Sequence, residues 1–261
     1  MPRAILWVAL AAFAVARLTL PVSAQAIVQD VPIAGGGSEP VLYAGPANPP
    51  AILLMFAGGD GTVGFNTAGQ ITRMNSNFLM RTEPLWLAQG FGFATIGSSS
   101  SLDGRRHTPA YAQAIAAAVD YARSRGGNAP VWLVGTSMGS IAAANGAAHL
   151  PGRVAGVVLT SSVAAPNRAA NETVFDSDLG AIAVPALIVA NRGDTCPIAG
   201  AGFAPNILAA LTRSPRKDII YVESHQIQSD PCEALSPHGY LGIETDVVQR
   251  ITGWIRATPA H

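Results

Sequence analysis

The chain has 261 residues, of which 49% are hydrophobic and 12% are charged, and its 16 basic residues balance its 16 acidic ones. This composition supports a large apolar core and excludes a disordered chain. Because the net charge is zero and no basic run occurs, neither nucleic acid nor an anionic membrane is expected as a partner. The length fits one α/β domain of ordinary size after a removable leader.

The first 24 residues are typical of a secretory signal. A short positive start precedes an apolar stretch over Ala4–Ala16, and Val22-Ser23-Ala24 has the small residues of a cleavage site. A membrane-spanning helix is the alternative, but it needs about 20 continuous apolar residues, more than this run offers. We therefore expect residues 1–24 to be removed. Residues 25–261 would form one exported domain, periplasmic or secreted, without stable membrane association.

Short apolar runs alternate with longer helical patterns after the leader. The predicted strands are Ile27–Ile33, Val41–Ala44, Ala51–Phe56, Phe91–Ile96, Val131–Val134, Val154–Leu159, Ala186–Ala190 and Asp218–Val222. The predicted helices are Asn77–Gln89, Pro109–Arg125, Met138–Leu150, Pro205–Leu211 and Tyr240–Arg256. Strands that are apolar throughout and alternate with helices predict an α/β fold with a mostly parallel sheet, covered on both faces. The first two strands are expected to form an antiparallel edge.

The segment between the strand that ends near Ser161 and the strand that starts near Pro185 is short. Its Ala164–Asp178 portion contains few large apolar side chains. A bulky hydrophobic cover over the sheet edge is therefore not expected, and the sequence predicts little or no lid.

Gly135-Thr136-Ser137-Met138-Gly139 lies between an apolar predicted strand and an alanine-rich predicted helix. A G-x-S-x-G pattern in that setting is typical of a nucleophile elbow, in which glycines leave room for a strained turn at the serine. A chance match is the alternative in a chain with 27 glycines. The flanking strand and helix favour the elbow and make Ser137 the predicted nucleophile.

A serine hydroxyl needs a base to take its proton and a carboxylate to orient that base. His238 lies in a loop that enters the last predicted helix, from which it can reach back over the sheet. His225, which follows the last predicted strand directly, is the alternative base, and a structural role for both stays open. The remaining histidines are expected in structural, solvated or terminal positions: His107, His149 and His261.

Asp194 is the predicted acid. It follows the Ala186–Ala190 strand, and catalytic groups gather at the carboxyl ends of strands in open α/β sheets. Asp230 is the main rival, while Asp176 and Asp178 precede the strand, at the wrong end of it. An ordinary role in a Gly-Asp turn is the alternative for Asp194.

Two cysteines, Cys196 and Cys232, occur in this predicted exported chain. An even pair in an oxidising compartment favours one disulfide, and two independent buried thiols are the alternative. Two cysteines alone cannot supply a tetrahedral zinc site. Because Cys196 follows Asp194 closely and Cys232 precedes His238, a disulfide would join the acid loop to the base loop.

An oxyanion hole needs two N–H donors aimed at one point. The backbone N–H of Met138, directly after the predicted nucleophile, is the first. The second is expected in the glycine-rich loop after the third strand, with Gly59 as first choice and Asp60 as second. A plain glycine-rich turn is the alternative, and a phosphate loop is not expected because no G-K-[ST] follows.

Across nearly its whole mature length the chain resembles the α/β-hydrolase superfamily. The resemblance depends on Ala57-Gly58-Gly59-Asp60-Gly61, Gly135-Thr136-Ser137-Met138-Gly139, Asp194 and His238. The chain is most similar to a group of small exported bacterial hydrolases that also carry Asn77-Phe78-Leu79-Met80-Arg81, and Asp230-Pro231-Cys232 before Ser236-Pro237-His238-Gly239. The resemblance implies the fold and the catalytic machinery more than the substrate.

The predicted function is that of an exported serine hydrolase acting on carboxylic esters through an acyl-enzyme on Ser137. Its partner would be a small or polymeric ester, and no metal or organic cofactor is expected. A thioesterase, amidase or peptidase with the same triad is the alternative enzyme. A catalytically silent exported binding protein is the alternative outside enzymes. The oligomeric state stays open.

Overall fold

A computed structural model describes residues 26–166 and 171–259 of the chain. The predicted leader, residues 1–24, and the terminal His261 lie outside these described residues. None of the helices within the described ranges combines the length and the hydropathy that a membrane-spanning segment requires.

Ten strands and six α-helices make up the regular structure of the described residues. The strands are β1 (Ile27–Pro32), β2 (Ser38–Ala44), β3 (Ile52–Phe56), β4 (Gly64–Phe65), β5 (Ile71–Arg73), β6 (Gly92–Ile96), β7 (Val131–Thr136), β8 (Gly156–Thr160), β9 (Ala186–Asn191) and β10 (Lys217–Val222). The helices are α1 (Phe78–Arg81), α2 (Glu83–Ala88), α3 (Pro109–Arg125), α4 (Gly139–His149), α5 (Ala204–Ala210) and α6 (Glu244–Arg256).

Eight strands form one sheet in the order β1-β2-β6-β3-β7-β8-β9-β10. Every pairing from β6 to β10 is parallel, whereas β2 is antiparallel to both of its neighbours, β1 and β6. The predicted α/β class, the mostly parallel sheet and the antiparallel edge are thus confirmed. Parallel pairing brings the carboxyl ends of β3, β7, β8, β9 and β10 to a single edge of the sheet, where ligands bind in open α/β folds.

Helices cover both faces of the sheet, which is why its central strands are apolar along their whole length. Side chains from alternate positions of β3 enter opposite cores: Ile52 and Leu54 pack on one side, and Leu53 and Met55 on the other. Helices α3, α4 and α5 line the first core, and α1, α2 and α6 line the second. Each central strand is therefore shielded from water on both sides and carries no polar face.

Two predicted helices differ from those observed. The predicted helix over Asn77–Gln89 is divided at Thr82 into α1 and α2, because Pro84 has no N–H to continue the helical hydrogen bonds. The last helix begins at Glu244 rather than Tyr240. A 3-10 turn over Pro237–Gly239 comes before it, and Tyr240, the expected first residue of the helix, is left-handed with φ 61°.

A small hairpin of β4 and β5 was not predicted. The side chain of Asn66 closes it, since its Oδ1 accepts the N–H groups of Ala68 and Gln70 at 3.0 and 2.9 Å. Two strands of two and three residues are too short to produce an alternating pattern in the sequence. Between β8 and β9, the described residues include only short 3-10 helices, at Val174–Ser177 and Leu179–Ala181, in keeping with the predicted absence of a bulky lid.

Alanine substitutions at two glycines test the packing through their effects on the free energy of unfolding. Gly156 pairs with Trp132 across β7 and β8, and a Cβ there would overlap the indole ring. We expect Gly156→Ala to lower the free energy of unfolding by about 1–3 kcal/mol through overpacking. Gly253 lies exposed in α6, and a Cβ at that position would have no atom within 4 Å, so Gly253→Ala should raise the free energy of unfolding by about 0.5–1 kcal/mol. Urea unfolding monitored by circular dichroism measures both, and equal effects would contradict this packing.

Candidate active site

Ser137 occupies a sharp turn between β7 and α4. Its φ is 54°, a left-handed conformation that is uncommon for a residue with a side chain. A Cβ at Gly135 would overlap the backbone of Gly139, and a Cβ at Gly139 would overlap the carbonyl oxygen of Phe56. The two glycines of the motif are therefore required by contact between the turn and its neighbours. The turn presents Ser137, partly exposed, at the carboxyl edge of the sheet.

The N–H of Met138 is available at the start of α4. Met138 is the N-cap of the helix, and no hydrogen bond from its N–H is found within the described ranges. The N–H of Ser137, in contrast, donates to the carbonyl of Thr160 at 3.0 Å. Unpaired N–H groups at the start of a helix carry the positive end of its dipole, which favours a negative charge beside Met138.

The glycine-rich loop after β3 turns its carbonyl groups toward the protein. The carbonyl of Gly58 accepts from Gly61 N–H at 3.2 Å, that of Gly59 from Arg106 at 2.6 Å, and that of Asp60 from Leu102 N–H at 2.9 Å. In the part of the chain that the structure describes, the N–H groups of Gly59 and Asp60 have no acceptor. The loop therefore offers donors on its open side, as an anion-binding turn does.

This loop lies directly against Ser137. A Cβ at Gly58 would stand 2.8 Å from the Cβ and 3.3 Å from the Oγ of Ser137. Gly59 has a φ of +57°, which a glycine adopts without strain. The predicted donors of Gly59 or Asp60 and of Met138 thus belong to two segments that approach the same serine.

His238 and Asp194 form a buried hydrogen-bonded pair. His238 Nδ1 lies 2.8 Å from Asp194 Oδ2, and the exposed fractions of the two side chains are 4% and 1%. The other carboxylate oxygen accepts the N–H of Cys196 at 2.9 Å. Because an ionised carboxylate only accepts hydrogen bonds, Nδ1 carries the ring proton and Nε2 carries the lone pair.

His238 Nε2 is buried without a hydrogen-bond partner among the described residues. Such a group is costly to bury, so it marks a position that a ligand or water is expected to occupy. His238 lines a cavity of about 390 Å³ together with Ser137. The structure thus brings the predicted nucleophile and the predicted base to one cavity, with the predicted acid behind the base.

Side chains donate hydrogen bonds to three successive backbone carbonyl groups around His238. The carbonyl of Pro237 accepts from the Asn191 side chain at 2.7 Å, and that of His238 from Ser161 Oγ at 2.8 Å. Arg81 donates to the carbonyl of Gly239 at 2.5 Å and forms an ion pair with Glu244 at 3.0 Å. Since the loop has little regular structure, these side chains replace the hydrogen bonds that a helix or strand would give it.

A disulfide joins Cys196 to Cys232 over a sequence separation of 36 residues, as the sequence predicts. Cys196 follows the Asp194 loop, and Cys232 belongs to the segment that leads to His238. The bond therefore links the loop after β9 to the loop after β10. Cys232 itself lines the cavity.

The walls of the cavity combine apolar side chains with a polar rim. Its apolar lining is contributed by Met74, Phe78, Met138, Ile198 and Ala234. Asp60 lies at the rim, where partial burial raises its pKa. Hydrogen bonds from Thr62 and the nearby guanidinium groups of Arg106 and Arg73 outweigh that effect, so the pKa of Asp60 is lowered and it is ionised at neutral pH.

The rival candidates lie in other surroundings. The side chain of His225 is 77% exposed and pairs with Glu223, and Asp230 is exposed in the disulfide-closed loop. His107 pairs with Glu172 at 2.9 Å, and His149 contacts the carbonyl of Asn145 at 3.0 Å. None of these four lines the cavity.

Several residues around the site were not predicted from the sequence. Arg106, Glu172, Asn191 and Ser161 act through contacts with residues far away in the chain, and no local pattern marks them. The sequence indicates no role for the run from Asn77 to Arg81 beyond the resemblance. In the structure Asn77 caps α1, Phe78 packs against Tyr240 with ring centroids 4.7 Å apart, and Arg81 holds the His238 loop.

One group of side chains in the described residues has the spacing of a metal site. Asp194, Cys196 and His238 each place one potential ligand atom within 4.8 Å of the other two. Cys196, however, is bonded to Cys232 and has no thiolate to offer, and the Nδ1 atom of His238 is engaged with Asp194. These residues therefore do not fit a metal, and the grouping follows from the disulfide lying beside the Asp–His pair.

Comparisons with known proteins agree on the fold. A family model described as the alpha/beta hydrolase fold matches residues 89–194, which include Ser137 and Asp194. No curated protein matches this chain in sequence. The resemblance to the α/β-hydrolase superfamily is thus confirmed at the level of the fold.

Solved structures support the same assignment at low identity. An esterase domain from Rhodothermus marinus is 14% identical with a TM-score of 0.58, and covers 89% of this chain and 98% of its own. A dienelactone hydrolase from Anabaena variabilis is 16% identical with a TM-score of 0.59, with the same coverages. A Xanthomonas campestris protein described as a serine hydrolase without lid is 14% identical with a TM-score of 0.58, and covers 92% and 99%.

The disulfide gives a stability test. Replacing both Cys196 and Cys232 by alanine should lower the free energy of unfolding by about 3–4 kcal/mol, because the unfolded chain loses its cross-link. Urea unfolding of the parent and the double variant measures the difference. The parent in strong reductant, with its thiols confirmed free, should match the variant. An unchanged midpoint in both would mean that the bond does not tie the two loops together.

Proposed function

We propose that this chain, which has the α/β-hydrolase fold, is a serine hydrolase that cleaves carboxylic esters through an acyl-enzyme on Ser137. The observation that carries the proposal is the shared cavity of Ser137 and His238. There the unpartnered Nε2 of His238 is the base, and Asp194 on the opposite ring nitrogen is its orienting acid. Esterases and dienelactone hydrolases among the structural neighbours favour the same class of reaction.

The first half of the reaction forms the acyl-enzyme. His238 Nε2 takes the hydroxyl proton of Ser137 as the oxygen attacks the ester carbonyl. Asp194 stabilises the imidazolium that results. The carbonyl oxygen becomes an oxyanion, which accepts hydrogen bonds from Met138 N–H and from the N–H of Gly59 or Asp60. His238 then gives its proton to the departing alcohol.

The second half releases the acid. A water molecule enters where the alcohol left and donates its proton to His238 Nε2 as it attacks the acyl carbon. The second tetrahedral intermediate uses the same donors, and its collapse returns the proton from His238 to Ser137. Every proton in this cycle is transferred at His238 Nε2, the ring nitrogen that has no hydrogen-bond partner among the described residues.

The cavity favours small, uncharged esters. Its volume is about 390 Å³, near the lower end of the range for small-molecule sites. Apolar side chains line its interior, and the acidic side chains of Asp60 and Asp103 at its rim are offset by the nearby Arg106 and Arg73. An acyl group of a few carbons fits this lining, whereas a charged group on the substrate would lose its hydration there.

Export belongs to the same proposal. A disulfide persists in oxidising compartments such as the periplasm, and the predicted leader at residues 1–24 would direct the chain there. The partner is then an ester substrate outside the cytoplasm.

Ser137→Ala tests the nucleophile. We expect kcat for p-nitrophenyl acetate to fall by about four to six orders of magnitude, with the melting temperature nearly unchanged, because the acyl-enzyme cannot form. Ser124→Ala is the matched control, since that hydroxyl only contacts the carbonyl of Tyr121 on α3. A Ser137→Ala variant as fast as the parent would refute the proposal, as would parent protein that a fluorophosphonate fails to label at Ser137.

Asp194→Asn tests the acid. The amide oxygen would stay on the N–H of Cys196, so the amide nitrogen would face His238 Nδ1 and favour the ring tautomer that has its proton on Nε2. That tautomer cannot accept the Ser137 proton, and kcat should fall by about 10⁴-fold. The rival residue supplies the control, because Asp230→Asn should keep the parental rate. The opposite ranking of the two variants would reassign the acid.

A further inference from the structure

Arg106 is a buried charge that the proposed mechanism does not use. Its side chain is 0% exposed and lies beneath the turn after β3. One guanidinium nitrogen donates to the carbonyl of Gly59 at 2.6 Å, and another lies 3.0 Å from Glu172 and 3.1 Å from Asp103. Burying an arginine costs desolvation free energy even when it is paired, so the buried position of Arg106 needs a physical reason.

The contact with Gly59 fixes the direction of a peptide group. The carbonyl of Gly59 and the N–H of Asp60 belong to the same planar trans peptide, so they point in opposite directions. While Arg106 holds the carbonyl inward, the N–H of Asp60 points away from the protein interior. The N–H of Gly59 lies one peptide group earlier, on the residue whose carbonyl Arg106 binds. A glycine at φ +57° has the freedom to rotate this peptide, and the guanidinium removes that freedom.

Arg106 is itself anchored to the helix that follows Ser137. The side chain of Asn145, which is fully buried in α4, donates to the carbonyl groups of Arg106 and Thr108 at 2.8 and 2.9 Å. The carboxylate of Glu172, 3% exposed, pairs with the side chains of both Arg106 and His107. The two segments that carry the proposed oxyanion donors are therefore connected: α4 holds Arg106, and Arg106 holds Gly59.

We infer that Arg106 is a positioning residue that keeps the turn from Gly58 to Gly61 in the shape required to bind the oxyanion. The inference rests on the proposed ester hydrolysis at Ser137. The oxyanion exists only after the hydroxyl has attacked, so a misplaced turn weakens transition-state binding and leaves substrate binding nearly unchanged. A purely structural ion pair would change stability without this selectivity.

Two variants remove the contact in different ways. The double variant Arg106→Met with Glu172→Met deletes the ion pair without leaving a buried unpaired charge, which protects folding. Arg106→Lys keeps a positive charge beside Glu172, but a lysine lacks the planar fork that reaches three acceptors at once. The matched control is Arg216→Met. Arg216 likewise binds a carbonyl and a carboxylate, those of Ala257 and Asp218, at 2.8 and 3.3 Å, at the opposite edge from the site.

We expect kcat for p-nitrophenyl acetate to fall about 10–100-fold in the double variant, with KM within about threefold of the parent. The kcat of Arg106→Lys should lie between that of the parent and that of the double variant. Phenylboronic acid, which forms a tetrahedral adduct with a serine, probes the oxyanion site directly. Its inhibition constant should rise by the same factor as kcat falls, while KM stays near the parental value. Arg216→Met should lower the melting temperature and leave all these constants unchanged.

A folded double variant with parental kcat and parental affinity for phenylboronic acid would overturn the inference. So would a loss of kcat that leaves phenylboronic acid affinity intact, because the oxyanion site would then be undisturbed. Should the double variant fail to fold, Arg106→Lys decides by the same two constants. Failure of the proposed function is distinct: it would appear as parental activity in Ser137→Ala, whatever the Arg106 variants do.

Discussion

The left-handed turn at Ser137 sets the arrangement of the residues around it. Gly139 is pressed against the carbonyl of Phe56 and Gly135 against the backbone of Gly139, so the turn cannot relax unless α4 leaves the sheet. The energy of packing that helix into the apolar core is large compared with the roughly 1–3 kcal/mol that a strained residue costs. Strain at Ser137 is therefore maintained by burial elsewhere, and Gly58 of the neighbouring loop meets the serine at a fixed distance.

The loops around that serine follow one physical rule: their carbonyl groups are taken up by donors inside the protein. Arg106 binds the turn after β3, while Asn191, Ser161 and Arg81 bind three successive carbonyls around His238. Irregular backbone at a sheet edge needs such partners, since it has none of its own. The consequence is directional. A peptide group whose carbonyl is turned inward has its N–H group turned the other way.

The charges around the proposed oxyanion site are distributed so that a negative group there meets little repulsion. Asp60 belongs to the turn that carries the proposed donors, and an unscreened carboxylate there would oppose catalysis. Its Oδ1 accepts both the N–H and the hydroxyl of Thr62 at 2.9 and 2.8 Å, and Arg106 and Arg73 supply compensating positive charge. The helix dipole of α4 adds positive potential at Met138. In a cavity with apolar walls these interactions are stronger than they are in water.

Local signatures in the sequence predict the sheet, most of the helices, the turn at Ser137 and the cysteine pair. These signatures are an apolar run, a helical period, two glycines around a serine and an even cysteine count. The sequence indicates Asp194 and His238 through their positions, one after a predicted strand and the other in the loop that enters the last predicted helix. The tertiary structure was needed to show that His238 rather than His225 lines the cavity, because both residues follow the last strand in loops without a regular pattern. It also decided the roles of Arg106 and Glu172. The partners of Arg106 at Gly59 and Glu172 are 47 and 66 residues away from it, and contacts over such separations leave no periodicity that a single sequence can display.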